Sequence, residues 1–195
     1  MAIPMFSNGK LLRAQLGPRK NKEKSQSLLL SATDLPGEGW RKRQDFVIRM
    51  GVLVEPPPFA WIERAGKEGH FSACRWFDQQ TTDSALMLQV MPLVSDEDAL
   101  LALSDLNTQT TFENPNFHGS ILEDRELPTP IFPGARSARA FLTSYETDGQ
   151  IGFTNSVHLI VGSVLLGVRF VRNGQPWTDG EMLAILALQI PKLNA

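Results

Sequence analysis

The stretch "IGFTNSVHLIVGSVLLGVRFV", residues 151–171, decides the fold of this chain. It contains two runs that are rich in β-branched and apolar residues, which is typical of strands. Gly162-Ser163 lies between the runs and predicts a tight turn, so that they form an antiparallel hairpin. Upstream, "ARSARAFLTSY" at residues 135–145 predicts another strand, joined to the hairpin through the turn residues Asp148-Gly149.

A helix is predicted to follow these strands. Thr178 and Glu181 have the spacing of a capping box, in which the Thr hydroxyl binds a backbone amide of the first turn and the Glu carboxylate reaches back. The apolar run "EMLAILALQI" continues the helix until Pro191 ends it. Consecutive strands with a closing helix predict an α+β domain, in which helices cover a face of an antiparallel sheet.

The N-terminal half adds strands and one helix to this pattern. Residues 41–50 alternate apolar and charged positions as a strand does, and residues 71–77 and 85–94 are predicted to pair as a hairpin. Ser95 is a good N-cap for a helix that reaches about Leu106. No internal repeat interrupts this order, which indicates one domain.

The charge is distributed unevenly along the 195 residues, although the formal net charge is only −2. Residues 1–50 hold ten basic and four acidic residues, whereas residues 51–195 hold nine basic and seventeen acidic residues. We therefore expect a flexible basic arm over residues 1–26, followed by a single α+β domain over residues 27–195. The arm is either a disordered tail or a docking segment for an acidic partner or an anionic surface.

Several features of the sequence bear on membrane association and on the cellular compartment. No run approaches the roughly 18 apolar residues that a membrane-spanning helix needs, and the N-terminus has no apolar segment typical of a secretory signal. Cys74 is the single cysteine, so no disulfide can form within the chain. These features lead us to expect a cytoplasmic protein.

Two motifs carry a resemblance to known proteins. "LLLSATDLPGEGW", residues 28–40, resembles the opening of small actinobacterial proteins described as sensor-like or lipoprotein-like domains. The last hairpin and helix, up to about residue 193, are similar to the end of the Mog1/PsbP-like fold. The resemblance implies a twisted antiparallel sheet flanked by helices, and an adaptor or accessory role without a shared catalytic constellation. The chain departs from these relatives in lacking a signal or lipobox cysteine and in having its basic arm.

The motif at residues 28–40 allows two interpretations. Ser31 and Asp34 can cap the turn, Pro36 presets its backbone, and the two glycines that follow permit positive φ. In the first interpretation the turn lets Trp40 fold over the sheet and close the core. In the second the turn is a loop that grips a ligand.

Catalytic, cofactor and metal motifs are absent from the sequence. Gly66-Lys67 lacks the earlier glycine of a phosphate-binding loop, and no G-x-S-x-G motif is present. His70 and Cys74 are four residues apart in a predicted strand, which separates them by about 13 Å, too far to share a metal ion. We therefore expect no catalytic residue, no cofactor and no metal ligand, and Cys74 is interpreted as a small core residue.

Two further features of the sequence each allow a functional and a simpler interpretation. Asp124 and Glu126 share one face of a predicted strand at about 7 Å, a spacing that two-acid hydrolysis can use, although such a run also protects a sheet edge. The sequence "RKRQ" at residues 41–44 follows Trp40, and basic charge beside an aromatic ring can bind single-stranded nucleic acid. The acidic body of the chain argues against nucleic acid as a partner.

The leading hypothesis is a non-enzymatic adaptor or accessory protein that binds another protein through aromatic and proline-rich loops. Three prolines in residues 55–70 predict a loop, because proline cannot donate ladder hydrogen bonds, and a second loop covers residues 127–136. Their large apolar side chains either pack on the core or form a partner site; they are Phe59, Trp61, Ile62, Ile131 and Phe132. The alternative is a domain that binds a small ligand or is weakly hydrolytic, with a pocket near Trp61 and the acids Asp124 and Glu126.

Overall fold

The computed structural model describes residues 19–51, 59–79, 81–106, 119–129 and 131–194. It contains seven strands: β1 Trp40–Arg49, β2 Phe71–Gln79, β3 Ser84–Pro92, β4 Ser120–Leu127, β5 Ser137–Thr147, β6 Gln150–Val161 and β7 Val164–Asn173. The helices of the described residues are α1 Arg19–Ser27, α2 Ala60–Lys67, α3 Asp96–Asp105 and α4 Asp179–Leu193, with a short 3-10 turn at Ala32–Asp34.

The strands form a single antiparallel sheet in the order β1-β2-β3-β7-β6-β5-β4. Two meanders, β1 to β3 and β4 to β7, meet where β3 pairs with β7, and the connection that carries α3 joins them. The predicted hairpin at residues 151–171 lies at the centre, with Val161 opposite Val164 and Gly162 at a φ of 57° in the turn. The predicted α+β class, an antiparallel sheet flanked by helices, is confirmed.

Helix α4 covers one face of the sheet. Thr178 caps it by accepting a hydrogen bond from the backbone amide of Glu181, as the capping box predicted. Because side chains alternate along a strand, every second residue of β6 and β7 points towards α4. These residues form the larger core together with α4; examples are Val157, Leu159, Leu166, Val168, Phe170, Ile185 and Leu186.

The motif at residues 28–40 packs on α4 and closes this core, as the first of the two interpretations proposed. Leu29 and Leu30 are buried, and Trp40 stacks on Trp177 with ring centroids 6.3 Å apart. Gln189, which is fully buried in α4, accepts a hydrogen bond from the Leu30 amide (3.0 Å) and donates one to the Leu28 carbonyl (2.6 Å). One amide side chain therefore holds the segment to the helix.

Replacing Gln189 by methionine is expected to lower the free energy of unfolding by about 2 kcal/mol, because a buried N–H and a buried C=O both lose their partner. The size of the side chain is nearly kept, so that packing contributes little to the change. Urea denaturation of the purified protein measures the effect. Gln175→Met, at an exposed position, is the matched control, and an equal loss in both variants would contradict the role of the buried amide.

The opposite face of the sheet is covered at one end by α2 and α3. Trp61 and Ala65 of α2 and Ala102 and Leu103 of α3 pack with Leu165 in a second, smaller core. The helix α2 replaces most of the loop that was predicted over residues 55–70. Because Trp61 and Ala65 are four residues apart, both can face the sheet from a helix once the chain has passed the prolines.

The basic arm was predicted to reach residue 26, but α1 begins at Arg19. Ser25 is buried and its hydroxyl donates a hydrogen bond to the Phe71 carbonyl at 3.1 Å, and Lys22 lies 5.8 Å from the centre of the Phe71 ring. These contacts place α1 on β2, so residues 22–26 of the predicted arm pack on the sheet. The rest of the predicted arm, residues 1–18, lies outside the described residues.

Candidate functional site

The face of the sheet opposite α4 carries a group of buried polar side chains that the larger core does not use. Strand β6 contributes Thr154, Ser156 and His158, which alternate with the residues that point towards α4. The register places Ser156 between Phe141 of β5 and Arg169 of β7. We call this group the polar face; it consists of the buried Thr143, Thr154, Ser156 and His158 and, beside them, the half-buried Gln89 and Arg169.

The position of the His158 imidazole depends on a glycine in the neighbouring strand. Gly167 lies directly opposite His158, and a Cβ atom at Gly167 would be 3.3 Å from the Nδ1 atom of the imidazole. That separation is tighter than usual, so glycine leaves room for the ring to lie across β7. The Phe141 ring meets the imidazole edge to face, with centroids 6.0 Å apart. A glycine inside a strand, such as Gly167, therefore indicates that a neighbouring side chain packs closely against the backbone at that position.

His158 is held in its neutral form. Burial, together with the smaller effect of the nearby positive charges of Arg169 and Arg139, lowers the pKa of its imidazole to about 3. A histidine with this pKa does not accept a proton at neutral pH, so it is a poor general base. It can still donate and accept hydrogen bonds as a neutral ring.

Two polar atoms of this face are buried and lack a hydrogen-bond partner among the described residues: the Ser156 hydroxyl oxygen and the His158 Nδ1 atom. The relative exposure of these residues is 1% for Ser156 and 9% for His158. Leaving a buried polar atom without a partner costs roughly 1–3 kcal/mol, and the great majority of such atoms in proteins do have a partner. The cost of burying these two atoms is therefore not offset by a hydrogen bond from any of the described residues.

Arg139 joins the polar face to the end of α3. Its guanidinium group binds both carboxylate oxygens of Glu126, each at 2.8 Å, and it also donates to the carbonyl of Leu106 just after α3. The same group lies 4.9 Å from the centre of the Phe141 ring. Arg139 thus fixes β4, β5 and the C-terminal end of α3 around one side of the face, and its hydrogen bond lowers the pKa of Glu126.

The two acids of the alternative hypothesis share one side of a strand, as predicted, but both carboxylates accept hydrogen bonds from other residues of the protein. Asp124 and Glu126 point to the same side of β4, towards the polar face. Asp124 accepts a hydrogen bond from the Thr143 hydroxyl at 2.9 Å, and Glu126 is bound by Arg139. A general acid needs a raised pKa, whereas the hydrogen bond from Arg139 lowers the pKa of Glu126, which does not favour Glu126 as a general acid.

The side chains predicted to bind a partner lie in different environments. Trp61 and Phe132 are buried, the first in the smaller core and the second in the core beneath α4, so they lie on opposite faces of the sheet. Phe59 stacks on Trp61 with ring centroids 5.5 Å apart, and both Phe59 and Ile62 are half-buried. Ile131 is 94% exposed. The described parts of the two predicted loops therefore place Trp61 and Phe132 on opposite faces, and of these five residues only Ile131 is largely in solvent.

The environment of Trp61 links it indirectly to the acids. Its indole N–H donates to Asp105 of α3 at 2.9 Å, and Arg139 binds the end of the same helix and Glu126.

Within the described ranges no three His, Cys, Asp or Glu side chains form a group that could hold a metal ion. Cys74 is buried, and burial raises the pKa of its thiol to about 12, so that it is an unreactive core residue.

Ser156, His158 and Arg139 were not predicted as site residues from the sequence. The available signal was the spacing of Thr154, Ser156 and His158, which places three polar residues on one face of a strand whose other face is apolar. Such a pattern at the centre of a sheet indicates a polar function or a polar contact. A strand with one face in solvent has the same alternation of polar and apolar residues. The alternation alone therefore does not distinguish a buried polar face from an exposed one.

Together these features define an α+β domain with one antiparallel sheet, helices on both faces and a buried polar patch. The solved structures include one with a similar fold, the extracellular domain of PknH from Mycobacterium tuberculosis, with a TM-score of 0.55 and 11% sequence identity. The match covers 89% of this chain and 96% of that chain, and at this identity it shows the fold alone. No protein-family model matches the sequence, and no curated protein matches it. Of the described helices, none combines the length and apolar character needed to cross a bilayer.

Proposed function

We propose that this chain is a non-enzymatic binding domain that holds a small polar molecule on the polar face. The observation that carries the proposal is the pair of buried atoms without a partner among the described residues, Ser156 Oγ and His158 Nδ1, two positions apart on the face of β6 that points away from α4. A molecule with hydroxyl, amide or carboxylate groups would complete both hydrogen-bonding positions. Binding of this kind offsets the cost of burying them.

The proposal does not include catalysis, because Ser156 and His158 lack the properties of a nucleophile and its base. A serine nucleophile needs a base that accepts its proton, and the Ser156 hydroxyl makes no hydrogen bond to His158. The low pKa of His158 also makes its imidazole a weak base. The assignment to the Mog1/PsbP-like group and a cytoplasmic location are parts of the proposal that rest on the sequence motifs and on the single cysteine.

The test is a binding screen with four probes: glucose, N-acetylglucosamine, citrate and inorganic phosphate. We expect at least one probe to shift the backbone amide NMR signals of Ser156, His158 and Gly167 and to raise the melting temperature. The double variant Ser156→Ala/His158→Phe should lose both responses, whereas Ser163→Ala in the β6–β7 turn should keep them. Shifts confined to other parts of the sheet, or shifts that persist in the double variant, would refute the assignment of the site.

A second candidate function is the adaptor role, and one observation favours it. Ile131 is almost completely exposed on the loop between β4 and β5, directly before the buried Phe132. An isolated large apolar side chain held in place by a buried neighbour can act as an anchor for a protein partner. Replacing Ile131 by aspartate separates the two candidates, because this change should leave probe binding on the polar face intact and abolish capture of a protein partner.

A further inference from the structure

The two edge strands of the sheet are β1 and β4. Within the described residues β1 pairs only with β2, and β4 pairs only with β5. The outer side of each edge strand presents backbone N–H and C=O groups that can pair with another strand. The two edges are similar in length, with ten residues in β1 and eight in β4.

The edges carry charges of opposite sign. Strand β1 has four basic residues and one acidic residue, and its exposed basic residues include Arg41, Lys42 and Arg43. In β4 three acidic residues accompany one basic residue, Arg125, and nearly the whole strand is exposed. Charges on an edge usually prevent pairing with other chains. Here two β1 edges repel each other, as do two β4 edges, whereas β1 attracts β4.

The order of charged and apolar residues also matches in one direction. In β1 the basic residues come first and the apolar residues Val47 and Ile48 come near the end. In β4 the apolar residues Ile121 and Leu122 come first and the acidic residues follow. An antiparallel alignment of the two strands therefore places basic residues opposite acidic ones and apolar residues opposite apolar ones. A parallel alignment would place charged residues opposite apolar ones.

The exposed apolar side chains of β4 are consistent with such a contact. Ile121 is 50% exposed and Leu122 is 52% exposed, although both lie in an otherwise charged strand. Pairing with a second strand would remove part of this apolar surface from water, which favours association. The antiparallel direction also continues the pattern that every pair in the sheet already follows.

We propose that copies of this chain associate edge to edge, with β4 of one copy adding antiparallel to β1 of the next copy and extending the sheet. The contact joins two different surfaces, so each copy keeps one edge available and the products are open chains of increasing length. A register shift next to Arg43 in β1 and another next to Leu122 in β4 interrupt the ladders. These bulges shorten the continuous pairing, and the association is therefore weak and reversible.

Sedimentation velocity measurements test this proposal. The weight-average sedimentation coefficient of the wild type should rise with protein concentration at low ionic strength and fall back towards the monomer value at about 1 M salt. The variant Arg41→Glu/Lys42→Glu makes both edges acidic, and Glu123→Lys/Asp124→Lys makes both edges basic. Each variant alone should remain monomeric. An equimolar mixture of the two should associate again, because each variant then meets an edge of opposite charge.

The controls separate loss of pairing from loss of folding. Far-ultraviolet circular dichroism should be the same for both variants and the wild type, and Asp179→Lys, at an exposed position of α4, should associate like the wild type. A wild type that sediments as a monomer at every concentration would overturn the proposal. So would folded charge variants that associate on their own, or a mixture of the variants that stays monomeric.

Discussion

Acidification from pH 7.5 to pH 4.5 is expected to reduce the free energy of unfolding by roughly 2–3 kcal/mol through His158. The folded state holds the pKa of this imidazole at about 3, mainly through burial, whereas a histidine in an unfolded chain has a pKa of about 6.5. Between these two values the unfolded state binds a proton that the folded state does not bind. The stabilisation is therefore fully present above about pH 6.5 and is lost progressively as the pH falls towards 3.

Urea denaturation at pH 7.5, 6.5, 5.5 and 4.5 measures this dependence, and the variant His158→Asn isolates the contribution of the imidazole. Asp34 and Glu181 have pKa values lowered to about 2, by hydrogen bonds from Ser31 and from Arg172 respectively. Their stabilising effect is present above their ordinary pKa values of about 4 and is lost as the pH falls from there towards 2, so the measurement ends at pH 4.5. We expect a much shallower slope in the variant. Equal slopes in the two proteins would mean that His158 is not buried as described.

The substitution Gly66→Ala is expected to lower the free energy of unfolding by about 3 kcal/mol, although alanine is normally the better helix residue. Gly66 lies in α2 where this helix crosses the end of β1. A Cβ atom there would overlap the carbonyl oxygen of Met50 and would lie 3.0 Å from the Met50 carbonyl carbon. Backbone atoms cannot rotate away as a flexible side chain does, so α2 would have to move away from the sheet.

Gly180→Ala is the matched control for this prediction. Gly180 is in α4, and a Cβ atom at this position would meet nothing within 4 Å. Its replacement should stabilise the protein by up to about 1 kcal/mol, because alanine loses less backbone entropy than glycine on folding. Thermal unfolding of the three proteins measures both effects. The prediction requires that the two substitutions change the stability in opposite directions. It would be contradicted if the two alanine variants were equally stable, or if both were more stable than the wild type.

Features set by neighbouring residues in the chain could be predicted from the sequence. The hairpin at residues 151–171, the capping box of Thr178 and Glu181, and the cap of α3 at Ser95 all have the predicted geometry. In each case the residues that cause the feature are a few positions apart. Turn chemistry and capping depend on backbone angles and on hydrogen bonds within one turn, so tertiary contacts change them little.

The candidate site could be predicted only in part. The shared side of Asp124 and Glu126 followed from strand alternation, but the sequence could not show that Thr143 and Arg139 engage them. Likewise, Phe132 and Ile131 are adjacent and similarly apolar, yet one is buried beneath α4 and the other is exposed. Which of two apolar neighbours faces the core depends on elements that are far away in the chain.

By itself the sequence determined the α+β class, the antiparallel hairpins and the capped helices, because alternation and local hydrogen bonds act over short distances along the chain. The tertiary structure decided which strands lie at the edges, which aromatic side chains are buried, and that Ser156 and His158 lie buried beside Arg169 and Gly167. These properties arise from the pairing of strands distant in sequence. The energy of a buried polar atom depends on what surrounds it, and only the assembled sheet supplies those surroundings.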